Sequence, residues 1–416
     1  MTVLAICSIE MSNPFDNFQP WNVVMSALAM IAIAIAITSL RRDRTQEMPR
    51  FFWPDLVYLA YLLYCALSTL WSVSPLATVV QVVYAGILWT ATFVVRTVRA
   101  EEQLRMVTKV AVVLAFLSFA AILVFGDGAF QTHVTGLGVP ELRGVFNHQQ
   151  RLGLVMGTVV GLCLVAMANG RFRSLLPGST VYRRFAFVLL GLAFVAALAR
   201  LNSVYIIIAL VLTLGMTRGP ILRVLVGVVV GGLLVWGALN AADIFNSLGS
   251  DGVDLSLSGR TNVWERTIAA AQGSGPFGYG FSSFISPVFD AYWGRYRAPH
   301  AHDSFLQAYF ETGMLGVWFT VAVVLAQLVG AIWVRVRLQR VPYSLFLVLT
   351  TLLASLTGVE YAGKPSTVLA LTFLVLAAEL QEATVQPRRT TSRARQRVAL
   401  IGAAGSPDGK STSILS

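Results

Sequence analysis

Long apolar runs constrain the fold of this chain more than any other feature. A helix that crosses a bilayer needs about 20 apolar residues. Eleven stretches of the 416-residue chain approach that length: 21–40, 52–71, 76–95, 106–125, 152–169, 185–200, 201–216, 221–241, 314–334, 343–360 and 366–381. The sixth and seventh are short, and the boundary between them is weakly marked. The pattern predicts an all-α polytopic integral membrane protein with about 11 transmembrane helices.

Composition excludes the main alternatives. Hydrophobic residues make up 56% of the chain and charged residues only 12%, against about 25% charged residues in soluble domains. A soluble globular enzyme, a secreted disulfide scaffold or a disordered chain would not have this balance. The apolar runs are continuous, whereas the strands of a β-barrel alternate polar and apolar residues.

The distribution of positive charge predicts the orientation. One alternate set of loops carries 23 of the 31 Lys and Arg residues: 41–50, 96–109, 170–184, 217–223, 335–340 and the tail after 381. Such loops face the cytoplasm, so the net charge of +11 indicates topology rather than nucleic-acid binding. We therefore expect a multi-pass protein of the bacterial inner (plasma) membrane with a periplasmic N-terminus and a cytoplasmic C-terminus.

This orientation divides the chain into five parts. We expect a short periplasmic N-terminus (1–20), eight helices with an outer loop at 126–151 (21–241), a large periplasmic loop between the eighth and ninth spans (242–302), three helices (303–381) and a disordered basic cytoplasmic tail (382–416). All four histidines lie in or beside the two outer loops: His133, His148, His300 and His302. Because histidine titrates near neutral pH, this one-sided placement favours a functional site on the outer face.

The first outer loop ends in LRGVFNHQQRLG, residues 142–153. Arg143, His148 and Arg151 lie close to a membrane entry, where a long arginine side chain also serves as an interfacial anchor. Anchoring does not explain the packed polar run 147–150, which is typical of a site that faces a polar cavity.

The second outer loop contains SLSGRTNVWERTIAAA, residues 256–271. Ser258 or Thr261 can cap a helix that begins here, which would place Arg260 at the helix N-terminus. A cation is mildly unfavourable there, and a bound anion would explain it, since helix N-termini and arginines both bind phosphate. The following GSGPFGYGF, residues 273–281, permits tight turns but lacks the GK[ST] end of a P-loop.

The same loop ends in AHDSFLQAYFETGMLG, residues 301–316. If this segment is helical throughout, His302 shares a face with three residues: Phe305, Leu306 and Tyr309. Glu311 falls on the opposite face, so it is structural, or Gly313 and Gly316 bend the helix. His302 therefore has no carboxylate partner nearby in sequence.

The sequence has no convincing metal or cofactor pattern. His300 and His302 lack further ligands at suitable spacing, and no Ser-His-Asp, Walker or Rossmann motif is present. An outer site rich in arginine and histidine but poor in carboxylates predicts an anionic ligand and a mechanism without metal or cofactor.

Four stretches resemble the O-antigen ligase and polymerase family of bacterial envelope biosynthesis, and exopolysaccharide polymerases most closely. They are LSTLWSVSP (67–75), RGVFNHQQRLG (143–153), SGRTNVWE with PFGYGF (258–265 and 276–281) and HDSFLQAYFETGMLG (302–316). The resemblance implies a GT-C-like fold. It also implies transfer of a glycan from an undecaprenyl-diphosphate-linked oligosaccharide to an acceptor glycan at the outer face of the inner membrane.

The resemblance also implies roles for individual residues. Arg260 would bind the diphosphate and His302 would be the catalytic histidine, as general base for the acceptor hydroxyl. Further substrate-binding residues would be Arg143, His148, Arg151, Arg200 and Trp264. Two departures affect these assignments: ALARLNSVYIII (197–208) offers only Arg200 where the family often has a Ser-Arg pair, and Gln149-Gln150 follows His148 where Lys-Asn is common.

Several functions remain open at this point. The 143–153 stretch favours a polymerase over a ligase that transfers the glycan to lipid A core. A transporter or flippase for the lipid-linked glycan is a further alternative, although charges within the spans are scarce and the site residues lie in outer loops. A purely structural membrane protein is the remaining one. Expected partners are the lipid bilayer, the lipid-linked glycan and other polysaccharide-export proteins.

Overall fold

The computed structural model describes residues 50–96, 98–131, 140–146, 148–215, 260–293, 298–362 and 366–385. These residues are almost entirely helical, apart from one small hairpin. The predicted first and eighth spans, the N-terminus and most of the predicted tail lie outside the described residues, as does His133.

The elements are numbered in chain order. The helices are α1 Trp53–Leu67, α2 Pro75–Val95, α3 Ala100–Phe125, α4 Gln149–Ala168, α5 Phe172–Leu175, α6 Thr180–Ala196, α7 Arg200–Gly215, α8 Arg260–Ala271, α9 Asp290–Trp293, α10 Ser304–Leu338, α11 Tyr343–Ala354 and α12 Thr367–Val385. The hairpin pairs β1 Phe130–Gln131 with β2 Glu141–Leu142 in antiparallel fashion. Single 3-10 turns are Ser68–Leu70, Gly126–Ala129, Gly275–Phe277 and Pro287–Phe289.

The helices have the lengths and compositions of membrane spans. Among the described residues, six stretches are long and apolar enough to cross a bilayer: Trp53–Leu70, Pro75–Phe93, Ala100–Ala129, Gln149–Ala168, Ser304–Leu338 and Thr367–Val385. Leu201–Gly215 and Tyr343–Ala354 are shorter apolar helices. The predicted class, an all-α multi-pass membrane protein, is confirmed. The sixth and seventh predicted spans are separate helices, because the chain turns at Leu198 with a positive φ of 46°.

Helix α12 holds two apolar cores together. Leu371, Leu374 and Val375 belong to the core formed with α3, α4, α6, α7 and α11. Leu369 and Phe373 belong to a second core formed with α1, α2 and α10. Because both faces are covered, nearly every side chain along this helix is buried.

Helix α4 packs closely through glycines at four-residue spacing. A Cβ at Gly153 would lie 2.3 Å from Cβ of Ala199, and one at Gly161 would lie 2.1 Å from Cζ of Phe346. Neighbouring backbones can approach only because these side chains are absent. The close packing fixes the N-terminal end of α4, from which Gln149 and Arg151 project.

An ion-pair network joins helix ends at the opposite end of the bundle. The Arg340 guanidinium contacts Glu382 at 2.8 Å and both Glu101 and Glu379 at 3.3 Å. Glu101 also pairs with Arg171. Glu379 is buried and accepts the backbone N–H groups at the start of α11, so the network satisfies the charges it buries.

Helix α10 is broken at Gly313, where φ is 67° and ψ is −166°. The break leaves carbonyls without helical partners, and a neighbouring loop supplies donors. The N–H groups of Tyr279 and Gly280 donate to the carbonyls of Phe310 and Glu311, at 3.1 and 2.7 Å. The Tyr64 hydroxyl donates to the carbonyl of Thr312 at 2.7 Å.

The fit at this break requires glycines on both sides. Gly278 has a positive φ of 71°, and a Cβ there would lie 2.5 Å from the carbonyl of Glu311. A Cβ at Gly313 would lie 2.0 Å from the carbonyl oxygen of Pro276. Of the two alternatives for this segment, the one in which Gly313 and Gly316 bend the helix is correct at Gly313 but not at Gly316. The PFGYGF and ETGMLG stretches fit together at this break.

The turn between α1 and α2 fixes the same loop from its other side. The Val73 N–H donates to the carbonyl of Tyr279 at 2.9 Å. The Phe281 N–H donates to Oγ of Ser68 at 3.0 Å, and the Thr78 hydroxyl donates to the carbonyl of Phe281 at 2.6 Å. Three of the four family-like stretches thus contribute to one structural junction.

The segment from α8 to residue 301 has its own apolar core against the first part of α10. Phe310 lies at its centre, with ring centroids 4.8 Å from Phe289, 5.0 Å from Phe284 and 5.1 Å from Tyr279. Trp293 packs on Phe284 at 4.7 Å. This small core positions the segment relative to the membrane helices.

We predict that Gly153→Ala destabilises the protein whereas Gly191→Ala does not. Both are helical glycines, but a Cβ at Gly191 meets no atom within 4 Å. Overpacking typically costs about 1–3 kcal/mol, whereas alanine at an open helical site is favoured by about 1 kcal/mol. The thermal midpoint of each variant in detergent checks this. Equal or higher stability of Gly153→Ala would contradict the packing described for α4.

Candidate functional site

The candidate site lies where three segments meet. They are residues 300–303, called the His302 turn, together with the beginning of α8 and the beginning of α4. The charges of Arg260, Arg151 and His148 all act on His302. Two separate outer loops of the sequence are therefore brought together.

His302 lies outside helix α10. The helix begins at Ser304, and Asp303 caps it by accepting the N–H groups of Phe305 and Leu306, both at 2.8 Å. His302 has a positive φ of 55°, which breaks the helical pattern. The predicted helical face shared by His302 and Phe305 is therefore wrong, because Asp303 caps the helix and α10 begins only at Ser304, after His302.

Backbone hydrogen bonds fix the conformation of the His302 turn. The N–H of His302 donates to Nδ1 of His300 at 3.2 Å, and the N–H of Ala301 donates to Oε1 of Gln307 at 2.8 Å. The Ser304 N–H donates to the carbonyl of Ser355 at 2.9 Å. A left-handed conformation in a non-glycine residue is costly, and these bonds stabilise it.

The environment keeps His302 neutral. Burial, followed by the charges of Arg260, His148 and Arg151, lowers the pKa of His302 to about 4. Protonation would place another cation beside the arginines in a partly desolvated site. At neutral pH the imidazole can therefore accept a proton.

His300 forms a pair with His302, with ring centroids 4.1 Å apart. Burial and then the neighbouring His302, Arg151, Arg260 and His148 lower the pKa of His300 well below its usual value. Because Nδ1 accepts a hydrogen bond, the proton of the neutral ring lies on Nε2. His300 was not among the predicted site residues. Its spacing of two residues from His302 was the signal in the sequence that could have indicated it.

Arg260 lies in α8, at the point where the described part of this segment begins. Ser258 lies outside the described residues, and the Thr261 side chain is not described, so neither candidate cap is tested. Trp264 follows one turn later. Its indole N–H is buried, and no hydrogen-bond acceptor is found for it within the part of the chain that the structure describes.

Arg151 lies in the first turn of α4 and forms an ion pair with Glu360, with Nη1 3.1 Å from Oε1. The Arg151 side chain is 30% exposed, whereas that of Glu360 is only 3% exposed. Glu360 comes from the connection between α11 and α12, far from Arg151 in sequence. The expectation of a carboxylate-poor site did not include Glu360, because sequence spacing gives no signal for this contact.

His148 caps helix α4. Its Nδ1 accepts the N–H of Gln150 at 3.1 Å, and its Nε2 lies 3.1 Å from the side-chain amide of Gln131. The Gln149 amide donates to buried Glu141 at 2.6 Å. The polar run that was predicted to face a cavity thus also links α4 to the hairpin.

Two predicted site residues are not brought into this cluster by the described contacts. Arg143 is directed to the loop after α3, where its Nε donates to the carbonyl of Gly128 at 2.9 Å in an exposed position. Arg200 begins α7, but its side chain is not described. Its predicted role is not tested.

The arrangement combines Arg260 of α8 and Arg151 of the first turn of α4 with neutral imidazoles. Arginine pairs suit polyanions such as phosphate groups, and helix N-termini favour the same ligands. A neutral imidazole beside them can accept a proton as negative charge develops or is bound nearby. Among the described residues, no group of three or more His, Cys, Asp or Glu side chains forms a potential metal site.

The fold and the site together define a class of protein: a multi-pass membrane protein with an arginine–histidine site beside its helix ends. Residues 185–321 match a family model described as O-antigen ligase. This range includes Arg260, Trp264 and the His302 turn, but not His148 or Arg151. The exopolysaccharide production protein ExoQ of Rhizobium meliloti (strain 1021) is 28% identical over 127 residues.

These two matches confirm the predicted resemblance to the O-antigen ligase and polymerase family. The alignment with the exopolysaccharide production protein covers 29% of this chain and 29% of that relative. The chain thus spans less than a third of the curated relative it matches.

We predict that Arg260→Gln raises the pKa of His302. Removing the charge that acts most strongly after burial favours protonation, while burial keeps the pKa below 6.5. The chemical shifts of the His302 ring as a function of pH, assigned by comparison with His302→Asn, measure this pKa. Arg143→Gln is the matched control and should leave it unchanged. An unchanged or lower His302 pKa in Arg260→Gln would contradict the described cluster.

Proposed function

We propose that this protein is a glycosyltransferase that acts on an undecaprenyl-diphosphate-linked glycan at the periplasmic face of the inner membrane. The observation that carries the proposal is the convergence of Arg260, Arg151 and neutral His302. The O-antigen ligase match covers two of these residues. A GT-C-like arrangement of the helices belongs to the same proposal.

The two arginines would bind the donor diphosphate. Arg260 lies in α8, and Arg151 lies in the first turn of α4. The N-terminus of α4 favours anions, and charge on the departing diphosphate is stabilised by preorganised cations. Trp264, His148, Arg143 and Arg200 are proposed as further contacts to the donor or the acceptor sugar.

His302 would be the general base. It takes the proton of the acceptor hydroxyl while that oxygen bonds to the anomeric carbon of the donor. The bond between this carbon and the diphosphate oxygen breaks, and the diphosphate leaves with the bonding electrons. A single displacement of this kind inverts the anomeric centre. The mechanism uses neither a metal nor a cofactor.

The acceptor distinguishes two forms of the reaction. In the polymerase that we favour, the acceptor is the next lipid-linked repeat unit of an exopolysaccharide or O-antigen. The similarity to an exopolysaccharide production protein supports this form. In a ligase the acceptor is lipid A core, and the description of the matching family model supports that form. Other polysaccharide-export proteins are proposed partners in either case.

We predict that purified protein in liposomes makes a ladder of longer chains from one undecaprenyl-diphosphate-linked repeat unit, with EDTA present. His302→Asn should lower the rate about 10²–10⁴-fold, as expected for loss of a general base. Asparagine tolerates the left-handed backbone of position 302 better than most residues. Products are separated on a gel, and correct folding of each variant is checked by its thermal midpoint.

The outcomes separate the candidate functions. Product that appears only when lipid A core is added would identify a ligase. Failure of folded protein to transfer glycan to either acceptor would refute the glycosyltransferase proposal and favour a transporter. Normal product from folded His302→Asn or Arg260→Ala would refute the proposed roles of these residues. Loss of product with EDTA would refute the metal-free mechanism.

We also predict that the acid limb of the pH profile lies at higher pH for kcat than for kcat/KM. The profile of kcat/KM reports free enzyme, in which the pKa of His302 is about 4 and the base is lost only below that pH. A bound diphosphate brings negative charge near the imidazole and raises its pKa. Coincident acid limbs would show that donor binding does not change the charge around His302.

A further inference from the structure

A buried chain of polar groups connects the His302 turn with the loop that covers the break in α10. Oε1 of Gln307 accepts the N–H of Ala301 at 2.8 Å. Nε2 of Gln307 donates to Oε1 of Glu311 at 2.7 Å. The same oxygen accepts the N–H of Phe284 at 3.4 Å.

The two side chains in this chain are almost completely enclosed. Gln307 is 3% exposed and Glu311 is 2% exposed, and they are separated by one turn of α10. A buried amide and carboxylate are costly unless their hydrogen bonds are satisfied. Gln307 and Glu311 bond each other, Gln307 also accepts the N–H of Ala301, and Glu311 also accepts backbone N–H groups of Ser282 and Phe284. The chain therefore specifies one geometry for both backbone segments.

The Ala301 end of this chain determines where His302 lies. Two side chains accept hydrogen bonds from backbone N–H groups of the turn. Gln307 accepts the N–H of Ala301, and His300 accepts the N–H of His302. Asp303 then caps the helix with its side chain. Losing the Gln307 bond would leave a buried N–H without an acceptor, which costs about 1–3 kcal/mol and favours movement of the turn.

We propose that Gln307 is a positioning residue for His302, held in place by Glu311. The inference rests on the proposed function, because it assumes that the His302 imidazole is the base. Gln307 does not touch the substrate in this proposal. It fixes the backbone N–H of Ala301, and this in turn fixes the direction and burial of the imidazole beside Arg260.

A positioning role has a kinetic signature that a general structural role lacks. Gln307→Leu should lower kcat about 10–100-fold, since a displacement of about 1 Å can cost about 10²-fold. KM for the lipid-linked donor should stay within about twofold, because Arg260 and Arg151 retain their positions and donor binding is separate from the proton transfer. The pKa of His302 should rise from about 4, because a relaxed turn is less buried.

Gln103→Leu is the matched control for this substitution. Gln103 is a buried glutamine at the opposite end of the bundle, and its Nε2 donates to the carbonyls of Val95 and Val98 at 3.1 and 2.8 Å. Its loss should lower thermal stability but leave kcat and the His302 pKa at their wild-type values. Equal changes in kcat and His302 pKa in both variants would overturn the positioning role.

Two substitutions of Glu311 test the other end of the chain. Glu311→Gln should stay close to wild type, because the amide oxygen can still accept from Nε2 of Gln307 and from the N–H of Phe284. Glu311→Leu removes this acceptor and leaves the Gln307 amide without a partner, so kcat should fall and the His302 pKa should rise, as in Gln307→Leu.

The experiment separates this inference from the proposed function. Kinetic measurements use the full-length protein in liposomes with the lipid-linked repeat unit, and His302→Asn is measured beside the other variants. Full activity of His302→Asn would refute the proposed base. An inactive His302→Asn together with wild-type kcat in Gln307→Leu would refute the positioning role alone. Wild-type kcat and His302 pKa in folded Glu311→Leu would refute the part of the inference in which Glu311 holds Gln307 in place.

Discussion

The interrupted hydrogen bonding of α10 at Gly313 is the constraint on which the outer part of the molecule depends. A continuous helix would satisfy its own carbonyls and offer nothing to a neighbouring loop. The break exposes the carbonyls of Phe310 and Glu311, and the 278–281 backbone binds them. That backbone in turn carries the connection from α8 to the His302 turn. Main-chain hydrogen bonds at the edge of the membrane helices therefore determine the geometry of the site.

This dependence divides the family-like stretches into two kinds. LSTLWSVSP, PFGYGF and ETGMLG form the junction through main-chain contacts, and their glycines and small polar residues serve close packing. The other stretches place Arg260, Arg151 and the His302 turn beside one another. The residue types differ because a junction needs compact backbones, whereas a site for an anion needs charge and hydrogen-bond donors.

Much of this architecture follows from local sequence patterns. Apolar runs predict the helices because the bilayer requires about 20 such residues. The helical conformation of His302 was mispredicted because the apolar periodicity continues back through residue 302, whereas Asp303 caps the helix at its N-terminal end. The Arg151–Glu360 pair could not be predicted, since it joins α4 to the α11–α12 connection. Contacts between residues this far apart in sequence depend on tertiary packing, which local sequence patterns do not indicate.

The two-sided burial of α12 has a consequence for biogenesis. Leu371 and Leu374 of this helix belong to one core, and Leu369 and Phe373 belong to the other. The other helices that contribute to these cores precede it in the chain and are therefore synthesised first. Neither apolar core can be completely packed until α12 is inserted. Until then, the earlier helices expose the faces that α12 later covers. Both cores are consequently completed in one late assembly step. A chain truncated before α12 would leave both cores incomplete, and their exposed faces could be recognised by membrane-protein quality control.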